Sequence, residues 1–404
     1  MTDQTGALVI GGDYRGLSIV RSLGRRNIPV WVLTSDGDVL ASTSRYCGRS
    51  LPWPSGDPRA QVEYLLDLAT RYKLEGWAVF PTGDEAAAFL ARNHTQLKDR
   101  FRLTTPPWEV LRWAYNKRLT YCLAAQAGVD YPQTLYPAGR EELAEINFAF
   151  PMILKPIIKK DVNRFTVDKA WRVDNSASLL ARYDEACKFV TPDLVMLQEL
   201  IPGGGEAQFS YVALCADGRP LASMTARRTR QYPTDFGHSS SFVETVDQPE
   251  IEKPAQRLLA AMRYTGVVEM EFKYDGRNGC FKLLDVNARL WTWHTLCHRA
   301  GVDFPYLLWR LVRGEPITEL RGRPGVRWVR MATDVLSALS QVYQGKLSPR
   351  AYARSLRPPI EYALFAYDDP LPGLLNLPLS AWRRVAAFKG SRCRATPAAP
   401  LAID

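Results

Sequence analysis

Two short segments constrain this chain more than anything else in it. Val267-Val268-Glu269-Met270-Glu271-Phe272 and Leu283-Leu284-Asp285-Val286-Asn287-Ala288-Arg289 each alternate β-branched or apolar residues with polar ones, the pattern of a half-buried strand. Asp275-Gly276-Arg277-Asn278-Gly279 lies between them and is rich in turn formers, so the two strands are expected to pair as a hairpin. One strand then carries acidic groups, and the other an Asp, an Asn and an Arg. Carboxylate and amide oxygens suit Mg²⁺, a hard ion that keeps some waters and shares its shell with phosphates. Arg289, two residues beyond the Asn, suits a phosphate or acyl-phosphate oxygen. Side chains two apart share a strand face, so Glu269 and Glu271 are rivals for the first ligand position. The hairpin reads as the metal end of a nucleotide-phosphate site; the plainer alternative is a hairpin with a solvated polar face.

Composition bounds what surrounds that hairpin. At 404 residues the chain is long for one core, and two or three domains are expected. Hydrophobic content of 46% and charged content of 23% fit a folded globular protein. No apolar run reaches the ~18 residues of a membrane span, and the first residues lack the basic-then-apolar pattern of a secretory signal. The seven cysteines are scattered without a CxxC pair, which fits a reducing, cytoplasmic setting. A net charge of +10 suggests anionic ligands or surfaces. The basic residues are spread along the chain and no nucleic-acid motif is present, so a nucleic-acid partner is not expected.

The amino-terminal part opens on a buried-type strand over 7–10, a tight Gly11-Gly12-Asp13-Tyr14-Arg15-Gly16 loop, an amphipathic helix over 17–26 and a strand over 30–34. This is a βαβ unit with a glycine loop before its helix. The loop lacks dinucleotide spacing, although a helix N-terminus there could hold a carboxylate or phosphate. A further strand over 77–80 leads to Asp84, which reads as a helix N-terminal residue. Thr104-Thr-Pro-Pro107 marks a boundary.

Several motifs follow. Tyr115-Asn116-Lys117-Arg118 sits on a helix ending near Gly128; taken alone, Lys117 reads as a surface lysine. Phe150-Pro151-Met-Ile-Leu-Lys155-Pro156 puts a lysine at the end of an apolar strand, where it needs a partner or solvent. The loop after it, Ile157 to Lys169, has no glycine but carries Lys159, Lys160, Arg164 and Lys169. Val195-Met-Leu-Gln198-Glu199-Leu200-Ile201-Pro202 runs from a strand into a glycine loop ending at Glu206. Arg227, Arg228 and Arg230 follow a strand over 221–225 and are either a solvated run or an anion site. His294 and His298 have zinc-like i, i+4 spacing, but the flanking tryptophans favour a packed helix. A Tyr367-Asp368-Asp369-Pro370 motif precedes a tail that mixes apolar and basic residues.

Together these runs resemble the ATP-grasp superfamily, most of all its carboxylate–amine ligases, relatives of biotin carboxylase and D-aspartate ligase. The resemblance covers the "NK…AGV…P" segment around Lys117, the "P-x-I-x-K-P" lysine Lys155, the segment 195–206 and the Asp285-Val-Asn287-Ala-Arg289 run. It implies an α/β fold with α+β lobes: a Rossmann-like domain over 1–105, an ATP-grasp domain over 106–315 and a helical extension over 316–404. It implies ATP bound through Lys117 and Lys155, adenine against Gln198, Glu199 and Ile201, and ribose at Glu206. Glu271, Asp285 and Asn287 would hold Mg²⁺ (or Mn²⁺), and Arg289 with Arg228 would serve the transferred group. The implied reaction joins a small, amino-acid-like carboxylate to an amine through an acyl phosphate. A carboxylase-type enzyme and a nucleotide-binding regulatory protein are the alternatives. A homodimer, and contact of the tail with a membrane surface, stay open; for the tail, a helix packed on the ATP lobe is the favoured reading.

Overall fold

The computed structural model describes residues 5–35, 38–145, 149–158, 163–168, 170–232 and 239–376. Its first layer is a parallel five-stranded sheet in the spatial order Arg49–Pro52, Val30–Thr34, Ala7–Ile10, Ala78–Pro81, Arg102–Leu103. All four residues of Ala7–Ile10 are buried, as expected for a strand covered on both faces. Alternate residues serve different cores. Leu8 and Ile10 pack with Val62, Leu65 and Phe89, whereas Ala7 and Val9 join Leu17, Trp291, Trp293 and Phe304. The second core runs on into the rest of the molecule.

The helix after the glycine loop spans Tyr14–Gly24 and starts earlier than the sequence pattern suggested. Asp13 caps it, its Oδ1 accepting from the Arg15 N–H (2.9 Å) and the Gly16 N–H (3.1 Å). The amides that could have bound an anion are therefore taken by the chain itself. Gly11 is at φ +116°, and a Cβ there would meet the Thr82 hydroxyl, so the loop tolerates no side chain at that point.

A small antiparallel sheet and a larger, mainly antiparallel one form the rest. The smaller has the order Thr134–Leu135, Val195–Glu199, Met152–Pro156, Trp171–Val173. The larger runs Cys280–Asn287, Gly266–Asp275, Gln208–Ala216, Arg219–Tyr232, Ser239–Val246, Arg327–Val329, Ile360–Tyr362, with Leu320–Arg321 beside Arg219–Tyr232. The expected hairpin is present, with Glu271 opposite Asp285 and Glu269 opposite Asn287.

The carboxy-terminal extension, expected to be helical, is mixed. It contains the helices Met331–Tyr343 and Pro349–Ser355, but also strands that continue the larger sheet. The exposed edge of Ser239–Val246 is covered by Arg327–Val329, which removes an unpaired edge. Trp328 is fully buried there and donates to the Thr295 hydroxyl at 2.9 Å. Asp368 and Asp369 then clasp the amino-terminal layer. Asp369 accepts from Arg21, the Ser44 hydroxyl and the Arg45 N–H, and Asp368 takes Arg25 in a two-point pair. The tail beyond Asn376 lies outside the described residues.

Candidate active site

The hairpin, the small sheet and the strand Arg219–Tyr232 enclose a cavity of about 200 Å³. It is lined by Lys117, Lys155, Gln198, Glu199, Ile201, Arg228, Glu269, Glu271, Asp285, Asn287 and Arg289, among others. Of the eleven residues assigned to the site from the sequence, all but Glu206 thus converge, from six separate elements.

At the centre are the acidic groups. Asn287 Nδ2 donates to Glu269 Oε2 (3.1 Å) and to Glu271 Oε1 (3.0 Å), tying the two carboxylates together. Glu269 is buried and also accepts from Ser210 Oγ (3.0 Å) and Trp293 Nε1 (3.1 Å). Burial, and then the charge of Glu271, push its pKa up to about 7. Glu271 is more open and pairs with Arg228 at 3.2 Å. Asp285 is held by Lys117 Nζ. Glu271 and Asp285, facing each other across the hairpin and each countered by a flexible cation, form a site where a divalent ion would relieve mutual repulsion. Among the described residues no three His, Cys, Asp or Glu side chains converge as a closed protein cage. Two carboxylates and an amide still fit Mg²⁺, which leaves positions for phosphate and water.

Around this core the cations are already placed. Lys155 Nζ donates to Gln198 Oε1 at 3.3 Å. Arg289 reaches Asp84 through Nε at 2.7 Å and Nη2 at 3.3 Å, and Asn287 Oδ1 at 3.2 Å. Asp84 begins the helix Asp84–Arg92 of the amino-terminal layer, so the first layer meets the hairpin at this ion pair. A second cavity, of about 40 Å³, lies behind it between Asp84, Tyr115, Lys117, Asp285 and Asn287.

Other residues sit differently from a simple reading of their motifs. The Gln198 side chain is buried and committed to Tyr121 (3.1 Å) and Thr134 (2.9 Å) as well as Lys155. Glu199 borders the cavity, yet its carboxylate is bound by Lys282, the Gln133 N–H and Arg277; these contacts outweigh burial and hold its pKa below the usual range. Glu206 accepts from the Gly204 N–H at 2.8 Å and lines a neighbouring cleft rather than this cavity. The arginine run lies inside the strand Arg219–Tyr232, not after it. Its members therefore diverge: Arg227 pairs with Glu244, Arg230 forms a buried two-point pair with Asp334, and Arg228 alone lines the cavity. Arg164 turns to Glu185 at 2.7 Å, while Lys159, Lys160 and Lys169 fall outside the described residues. His294 is buried with Nδ1 against Trp291 O (2.7 Å), and His298 pairs with Asp303, so the two do not share a metal geometry.

Sequence reasoning missed Lys273. Its Nζ donates to Ile201 O (2.9 Å) and Gly203 O (2.7 Å), pinning the glycine loop to the hairpin. Burial lowers its pKa. The signal was available: Lys273 follows Glu269 and Glu271 at period two and so faces the same cavity.

No family model matches the chain. Among curated proteins it is similar to D-aspartate ligase of Enterococcus faecium (strain Aus0004), 25% identical over 248 residues, or 56% of this chain and 57% of that protein. The chain thus spans little more than half the length of that relative. Among solved structures it is similar to L-amino acid ligase from Bacillus licheniformis (TM-score 0.61, 18% identity, 78% of this chain and 75% of that one). It is also similar to the biotin carboxylase–β,γ-ATP complex from Campylobacter jejuni (TM-score 0.62, 17% identity, 77% and 71%). The chain has the ATP-grasp fold that its motifs anticipated.

Proposed function

We propose that the protein is an ATP-dependent ligase that activates a small carboxylate as an acyl phosphate and joins it to an amine, releasing ADP and phosphate. The observation that carries this reading is the convergence of four cations, Lys117, Lys155, Arg228 and Arg289, on Glu271, Asp285 and Asn287 in one cavity. Such an arrangement neutralises polyphosphate and offers oxygen ligands to a divalent ion. Lys117 and Lys155 bind the nucleotide phosphates, and Ile201 with the backbone of Gln198 and Glu199 borders the base. Mg²⁺ held by Glu271, Asp285 and Asn287 supplies charge neutralisation to the phosphates. Glu269, buried and hydrogen-bonded on three sides, positions Asn287 rather than serving as a ligand.

The carboxylate oxygen of the first substrate attacks the γ-phosphorus as the bond to the departing ADP oxygen breaks. The amine nitrogen then attacks the acyl carbon, loses a proton and expels phosphate. Arg289 and Arg228 meet negative charge that grows during transfer, so their contribution belongs to the transition state. No protein nucleophile takes part. The smaller cavity beside Asp84 and Tyr115 receives one polar substrate, and the names of two similar proteins, D-aspartate ligase and L-amino acid ligase, support an amino-acid-like one.

ADP release with ATP, Mg²⁺ and pools of amino acids tests the activity, and hydroxylamine in place of the amine should trap a hydroxamate. Cleavage of ATP to AMP and pyrophosphate would overturn the acyl-phosphate route.

A further inference from the structure

The helix Met331–Tyr343 is polar on its inner face and apolar outside. Asp334 and Ser337 are fully buried and Ala338 is 2% exposed. Asp334 accepts from Arg230 Nε and Nη2, both at 2.8 Å, and from Ser241 Oγ at 3.0 Å; Ser337 Oγ donates to Gln231 O at 2.9 Å. On the other side Met331, Val335, Leu336, Leu339 and Tyr343 are 39%, 37%, 47%, 62% and 94% exposed. At 100° per residue these five fall within an arc of about 140°. A surface helix normally buries its apolar stripe, and a contiguous exposed stripe marks a docking surface.

The chain that follows supplies the sign of the partner. Between Val335 and Ile360 there is no acidic residue, while Lys346, Arg350, Arg354 and Arg357 are all exposed. None of the four makes an ion pair among the described residues. The helix Pro349–Ser355 packs on Arg230 through the Tyr352 ring (5.1 Å) and Ser355 Oγ (3.2 Å), which seats it beside Met331–Tyr343. Arg350 and Arg354, four residues apart, share its outer side.

We propose that this face docks on an anionic lipid surface, with the apolar stripe entering the headgroup boundary and the cations meeting the headgroups. A lipid surface satisfies both halves of the patch at once. A second copy would bring like charges together. The residues after Asn376 carry Arg383, Arg384, Lys389, Arg392 and Arg394 against Asp404 alone, so they too match the rim in sign and do not complement it. Nucleic acid would leave the stripe in water.

The test is co-sedimentation of the full chain with phosphatidylcholine vesicles, with and without phosphatidylglycerol. Binding is expected only with the anionic lipid, and it should be released by high salt. Arg350→Glu/Arg354→Glu should weaken it about tenfold or more, and Leu336→Asp/Leu339→Asp should abolish it. All four positions are exposed, and matching thermal melts confirm folding; Leu339→Ser is the milder replacement if the double variant melts early. Three results overturn the proposal: no sedimentation with either vesicle, sedimentation that both double variants retain, or a dimer in sedimentation velocity that Leu336→Asp/Leu339→Asp dissolves without any vesicle binding.

Discussion

Asp285 stands where three demands meet. It faces Glu271 across the hairpin, it takes the ammonium of Lys117, and it lines both cavities. Asp285→Ala should remove ADP formation while the protein stays folded, because its side chain is a quarter exposed and holds up no core. Full turnover in that variant would refute the metal assignment. Arg289 answers a different question. It is already fixed by Asp84 and Asn287, so it is ready to meet charge without reorganising. Arg289→Ala should lower kcat far more than ATP affinity; a loss confined to ATP affinity, measured by calorimetry, would place Arg289 on the nucleotide instead. Glu269 makes the site sensitive to pH. Its raised pKa means that below about 7 it is largely protonated in the free protein, and above that it is ionised. The ionised form opposes folding: this cost is absent below the unfolded carboxyl range, grows as pH rises towards 7 and is complete above it. Positive charge entering the site favours the ionised form, so Mg²⁺ titrated into the nucleotide-free protein should release protons at pH 6.5 and none above pH 8. Calorimetry in buffers of different ionisation enthalpy measures that release directly, and a flat profile would contradict the coupling.

Strands and loops show what the sequence could disclose. The hairpin was legible because period-two alternation and a turn-rich loop are local signals, and local signals also placed the strands 7–10 and 30–34. The strand carrying Arg227, Arg228 and Arg230 was read too short. Its continuation is polar on both faces, and only the opposing Glu244 and Asp334, distant in sequence, explain why arginines sit in a sheet. The same holds for Arg327–Val329 and Ile360–Tyr362, three-residue strands that exist because a sheet edge was waiting for them. Gln198 was found but its side chain was not: the partners Tyr121 and Thr134 come from other elements. Lys155 is the penultimate residue of the strand Met152–Pro156 and contacts that glutamine. Lys155→Ala should weaken ATP binding by about 2–3 kcal/mol, typical of a charge-assisted contact, and an unchanged affinity by calorimetry would remove Lys155 from the nucleotide site. Lys273→Met tests the loop by another route. It deletes two hydrogen bonds to the Ile201–Gly203 backbone while keeping the apolar stem, and faster amide exchange over 201–205 is the expected result.

Across the whole molecule, the amino-terminal layer is gripped at both ends of the active-site sheet. At one end Asp84 holds Arg289, so the hairpin is tied to the first layer by an ion pair. At the other, the Asp368-Asp369 pair returns from the carboxy-terminal strands and seizes Arg21, Arg25, Ser44 and the Arg45 amide. The sequence motif gave no hint of this, since each partner lies more than 300 residues away. Arg21 and Asp369 have side chains only 6% and 1% exposed, so removing one leaves the other as a buried, unpaired charge. Asp369→Ala should therefore destabilise the fold by about 3–5 kcal/mol, whereas Asp368→Ala, acting on a pair that is 32% and 42% exposed, should cost about 1 kcal/mol or less. Urea denaturation compares the two directly. If they cost the same, the clasp is not set by burial. If Asp369→Ala also lowers turnover at temperatures where it remains folded, then the site at the hairpin depends on a contact at the far edge of the sheet.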